Sequence, residues 1–417
     1  MLRSILLALF VVLASAVDAQ FVRTASPSVR SPRMELNGEW GSLPVMTLGS
    51  DDVMCFSFDE MSHTYRRFIY RITHCNADWE PSGLSEIEYL DGFNGMPVEE
   101  WENSVNTIQL YTRYSFSVPN ENVSLLLSGN NKVEVHDDED DSVPLLVFAF
   151  PVVEQCVSVD VSVSGNTDMS FNDGQQQLSF TVNHEGYDIA SPAAEIIPVV
   201  YQNRRLDNAV HGVRPTYVSA GALEYVHNDR LIFDAGNEYR RFELTDPRTA
   251  GMGVEEVLFF GDEYHALLYV DKRRSTHSSY KDENGRYFVN THEGDGSQME
   301  ADYVYVHFAL VDIPRLEGGD FYILGDLCGN GLDLLGKLDY DVDEGYYHTT
   351  LLLKLGLYNY MYVWVPTGSG AAVTHHAEGD FYNTENEYLV YIYHREFGAR
   401  YDRLVGVGAV NYRLEDN

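Results

Sequence analysis

The chain has 417 residues, too many for one ordinary core, so two to four domains are expected. Its apolar fraction of 44% and aromatic fraction of 13% remove it from the disordered class. A formal charge of −36 argues against nucleic acid, whose phosphates require Lys and Arg, and equally against anionic membrane surfaces.

Residues 1–19 read as a secretory signal peptide. Arg3 supplies the positive start, Ile5 to Val12 the apolar run, and Val17-Asp18-Ala19 a cleavage site before Gln20. The apolar run is too short to span a bilayer, and no longer one follows. The mature chain is therefore expected to be soluble outside the cytoplasm, with no direct membrane insertion. An oxidising compartment permits disulfides among Cys55, Cys75, Cys156 and Cys328, in three possible full pairings, with buried free thiols as the alternative.

Beyond the signal, period-two alternation dominates. Val157, Val159, Val161 and Val163 alternate with Ser158, Asp160, Ser162 and Ser164, the pattern of a strand with one buried face. The same pattern returns at Leu178-Phe180-Val182, Val304-Val306-Phe308-Leu310, Met361-Val363-Val365 and Leu389 to Tyr393. Turn residues such as Asn172-Asp173-Gly174 and Asp343-Glu344-Gly345 punctuate these runs. The expected fold is all-β, with tandem immunoglobulin-like or early-set β-sandwiches. Three consecutive blocks are predicted: an N-terminal sandwich over 20–155, a middle one over 156–285, and a C-terminal one over 286–417. The acidic run Asp137 to Asp141 reads as a solvated hairpin tip, and Lys272 to Asp282 as a linker or long loop.

Several segments imitate chemical motifs. Gly331 to Lys337 has the spacing GxxxxGK, but Leu338 stands where a phosphate loop needs Ser or Thr. Asp339, Asp341 and Asp343 have the alternation of calcium ligands, yet their flanks read as two strands of a hairpin. His375 and His376 are neighbours on the chain, which on a strand sends them to opposite faces. No catalytic residue, metal ligand or cofactor is assigned. Tyr358, Tyr360, Tyr362 and Trp364 fall on one face of one strand, either a stacking platform for a partner or part of a sandwich core.

An ordered series in the first block includes Tyr70-Arg71-Ile72, His74-Cys75-Asn76-Ala77-Asp78-Trp79, Tyr89-Leu90-Asp91-Gly92-Phe93 and Tyr111-Thr112. Gln202-Asn203-Arg204, Gly236 to Phe242 and Asp302 to Val306 continue it. The series resembles the plug proteins of the type IX secretion system, a family of Bacteroidota once known only as a domain of unknown function. The resemblance implies a non-catalytic periplasmic protein. Such proteins associate with the periplasmic mouth of the outer-membrane β-barrel translocon, called SprA or Sov, and close it between export events. It carries over no interface residue.

The C-terminal block, through Tyr322 to Asp326, Leu351 to Lys354 and Tyr358 to Trp364, is also similar to early-set sandwiches that bind starch or glycogen. Those place a stacking Trp after the first of these strands, where this chain reads Cys328-Gly329-Asn330-Gly331-Leu332. A periplasmic or cell-surface glycan-binding protein is the alternative function.

Overall fold

A computed structural model of the chain describes residues 21–291 and 298–413. The expected signal peptide lies outside the described residues. Strands dominate. The α-helices among the described residues are single turns, Glu86–Tyr89 and Pro192–Glu195. The all-β expectation holds: the strands form mainly antiparallel sheets packed face to face, with Glu263–Leu268 running parallel to Tyr303–Val311, and three main cores lie between the sheets.

The first sandwich pairs Val29–Leu36, Met54–Glu60, Thr112–Val118 and Glu100–Asn103 in one sheet. Its other sheet runs Val22–Thr24, Leu146–Val153, Gly129–Asp137, Phe68–Cys75 and Met96–Pro97. In Thr112–Val118 alternate residues Thr112, Tyr114, Phe116 and Val118 are buried, as period two requires. Phe56 stacks on Phe116 at 4.9 Å, and Phe58 on Tyr114 at 5.4 Å, across the middle of this core.

The second sandwich has one sheet of Ser158–Ser164, Gln175–Asn183, Ala222–Tyr225 and Tyr217–Ser219. The facing sheet runs Val210–His211, Ile196–Gln202, Asn386–His394 and Arg403–Tyr412. Gly406 and Gly408 let the sheets close: a Cβ there would come within 2.6 and 2.8 Å of Val157 and Val161 methyls.

The third sandwich packs Arg240–Leu244, Gly356–Pro366, Tyr287–Val289 and Gly319–Leu324 over a second sheet. That sheet runs Val254–Phe260, Glu263–Leu268, Tyr303–Val311, Tyr346–Lys354 and Asp339–Asp341.

Strand pairing therefore departs from three consecutive blocks. Asn386–His394 pairs with Ile196–Gln202 along seven residues, so the C-terminal strands complete the second sandwich. Arg240–Leu244 pairs with Gly356–Pro366, so the third sandwich begins well before residue 286. It is inserted between two parts of the second. Alternation marks a strand but carries no record of its neighbour, which is why consecutive elements looked like consecutive domains.

Candidate interaction surfaces and joints

The segments singled out from sequence are mostly structural. Tyr358, Tyr360, Tyr362 and Trp364 do share one face of Gly356–Pro366, but that face is the interior of the third sandwich. None is more than 5% exposed. Tyr360 and Tyr362 donate to Asp271 at 2.7 and 3.0 Å, and Trp364 packs edge-on against Phe321. They form no platform, and the observation behind the glycan alternative goes with it.

Asp339–Asp341 and Tyr346–Lys354 form the expected hairpin. Asp341 Oδ1 accepts the amides of Asp343 and Glu344 at 2.9 Å, so this carboxylate shapes the turn. Lys337 of the GxxxxGK segment pairs with Asp320 at 2.8 Å, with a strand after it instead of a helix. His375 and His376 lie ring against ring at 4.1 Å, while nearby Glu378 is fully buried on Arg240. Among the described residues no three His, Cys, Asp or Glu gather as a metal site. All four cysteines are free, with Cys75 and Cys328 buried. The acidic run is largely neutralised within its own sandwich: Asp137 pairs with Arg66, Asp138 with Arg67 at 3.2 Å, and Asp141 with Arg71 at 2.5 Å.

The most constrained polar groups lie between sandwiches. Lys354 of the third and Asp59 of the first form an ion pair at 2.6 Å with both side chains at 0% exposure. Asp59 also accepts from Arg113 at 3.1 Å and from the Tyr303 hydroxyl at 2.7 Å, and Lys354 sits 4.1 Å over the Tyr111 ring. Burial pulls the Lys354 ammonium down to about 8, against the opposing pull of Asp59. At the same joint the Asp302 carboxylate accepts the amides of Ile108 and Gln109 at 2.8 and 3.0 Å.

Between the first and second sandwiches, Asp402 accepts the Ala77 amide at 3.0 Å, and Trp79 Nε1 donates to the Tyr201 hydroxyl at 3.3 Å. Tyr393 donates to Asn130 at 2.7 Å. A satellite core of Val153, Val199, Tyr201, Leu389, Tyr391 and Leu404 underlies these bonds. Between the second and third, Glu387 bridges Arg204 at 2.8 Å and Arg286 at 3.0 Å. Arg204 also donates to the Ser42 carbonyl at 3.2 Å, so this cluster ties all three sandwiches at once. A cavity of about 110 Å³ sits there, lined by Arg33, Trp40, Arg204, Arg286, Asp326 and Tyr391.

The first sandwich, residues 29–154, matches the family model described as type 9 secretion system plug protein, first domain. The chain belongs to the type IX secretion plug family. A crystal structure of a hypothetical protein from Parabacteroides merdae is similar to this plug-family protein at 38% identity and a TM-score of 0.92. The match covers 94% of this chain and 100% of that one. No curated protein matches the chain.

Part of the series that carried the plug resemblance, such as Tyr70, Ile72, Tyr89 and Leu90, fills the first core, and part falls on or beside the joints. His74 to Trp79 holds the first sandwich to the second through Asn76, Ala77 and Trp79. Gln202 to Arg204 meets Asn386 and Glu387. Gly236 to Phe242 carries the crossover into the third sandwich, where Arg240 binds Glu378 at 2.9 Å and Asp271 at 2.6 Å. Sequence reasoning found these residues by likeness alone. The Lys354–Asp59 pair, whose partners lie far apart in the chain, carried no local signal.

Proposed function

We propose that this protein is a non-catalytic plug. In the periplasm it binds and seals the inner opening of the type IX secretion translocon of the SprA/Sov type. One observation carries the reading: several family-bearing segments, among them His74 to Trp79 and Gln202 to Arg204, hold one sandwich to another instead of lining a reactive cleft. A channel wide enough for folded cargo needs a stopper of domain size or larger. A compact chain of this length has a radius of gyration of about 22 Å.

Buried ion pairs and apolar contacts at each joint oppose relative motion of the sandwiches, so a load on one is passed to the others. Family membership supports a periplasmic site near the outer membrane. Affinity purification of the tagged protein from solubilised outer membranes tests the partner. The translocon should co-purify in near-equal amount, and its consistent absence would overturn the reading.

A further inference from the structure

The third sandwich ends on an unfinished sheet edge. Among the described residues, Val254–Phe260 pairs with Glu263–Leu268 on one side and with no strand on the other. Gly261 and Asp262, both at positive φ, make the two-residue turn. In such a hairpin the closing pair, Phe260 and Glu263, exchanges both backbone bonds, and so does Leu258 with His265. Val257 and Phe259 are left with N–H and C=O groups directed outward.

The other edge of the same sheet is blunted, with only three residues, two of them Asp. The open edge instead carries four consecutive apolar residues, Val257-Leu258-Phe259-Phe260. Phe259 is 54% and Phe260 58% exposed. Tyr264, 4.8 Å from Phe259, also lines a cleft of about 400 Å³ with Ile108 of the first sandwich. The edge therefore abuts a surface built from two sandwiches.

We infer that Val254–Phe260 is a docking edge that takes an extended segment of a partner protein as an added strand. The backbone row demands a strand, and the phenylalanines demand apolar side chains opposite them. Glu255 and Glu256, both exposed, call for Lys or Arg near that segment's end. A second copy of this chain is disfavoured, because full-register antiparallel pairing about Val257 would set Glu255 and Glu256 opposite Phe259 and Leu258 between two bodies of charge −36. If the plug reading holds, the segment belongs to the translocon; the edge inference rests on that reading only for the partner's identity.

The test uses the full chain in cells, with p-benzoylphenylalanine in place of Phe259 or Phe260. Phe171, 79% exposed in the second sandwich, is the control position. A single protein adduct from 259 and 260 and none from 171 is expected. Phe259→Ser/Phe260→Ser should then weaken co-purification of that protein about tenfold with an unchanged melting temperature.

Adducts from Phe171 but not from the edge would overturn the inference. Adducts only to lipid or only to a second copy would overturn it as well. A translocon that still binds the double variant at full strength would leave the plug reading intact and sink the edge. An edge adduct to some other protein, in cells whose translocon never binds the chain, would sink the plug reading alone.

Discussion

Lys354 is sealed from solvent, with its side chain fully buried. It is held by Asp59, the Tyr111 ring and the geometry of two sandwiches. Removing it with Lys354→Met leaves Asp59 buried with only Arg113 and the Tyr303 hydroxyl, at a cost of about 3–5 kcal/mol. The pH dependence has a definite sign. The folded-state pKa is lowered to about 8, below the 10.5 of an unperturbed lysine, so between these values the unfolded chain binds more protons. The contribution of Lys354 to stability thus rises as pH climbs through this window and is smallest below pH 8. Denaturant melts of wild type and Lys354→Met at pH 7.5 and 9.5 should show a larger gap at the higher pH; a smaller gap would contradict this account.

Cysteine reactivity offers a second test at this scale. Burial pushes the Cys75 thiol up to about 12 and Cys328 higher still. Cys55 and Cys156, each partly exposed, should be alkylated first in the native protein, as peptide mass spectrometry would show.

Individual strands serve two cores at once. In Asn386–His394, Tyr388, Val390 and Ile392 face the second sandwich's interior, while Leu389, Tyr391 and Tyr393 face the first sandwich. Gly356–Pro366 divides in the same way, with Tyr358, Tyr360, Tyr362 and Trp364 inward and Met361 and Val363 outward. Burial on both faces means that the period-two pattern read at Met361-Val363-Val365 and Leu389 to Tyr393 located these strands without telling a core face from an exposed one. The alternation of Ser158–Ser164 and of Tyr303–Val311 was legible because one face of each is wetter. The inward tyrosines of Gly356–Pro366 were legible as one face of a strand, with a sandwich core as one of two readings, and the core is what the structure shows. Nothing local states that a second sheet covers them.

Pairing across long separations was not legible either, and it yields a prediction about fragments. A piece spanning 156–285 lacks Asn386–His394 and Arg403–Tyr412, half of one sheet. It should remain unfolded by near-ultraviolet circular dichroism. Residues 156–235 joined through a short linker to 385–413 should fold, and a cooperative transition in the first fragment would contradict the pairing. Within the complete chain, Leu389→Ala should cost about 2–5 kcal/mol by opening a cavity at the joint with the first sandwich.

At the scale of the whole molecule, charge and stiffness act together. An excess of acidic residues keeps the body soluble and gives it long-range attraction for basic surfaces. The acidic run at Asp137 to Asp141 contributes less to this than its composition suggests, because arginines of the same sandwich already pair with it. Three sandwiches are tied at Asp59, Asp402 and Glu387, which supplies the stiffness that the proposed plug role requires.

Entry of a large glycopeptide antibiotic into cells lacking this protein, with the translocon at its normal level, tests that claim most directly. The account predicts increased entry, reversed by supplying the wild-type chain. Entry at the parental rate would contradict it.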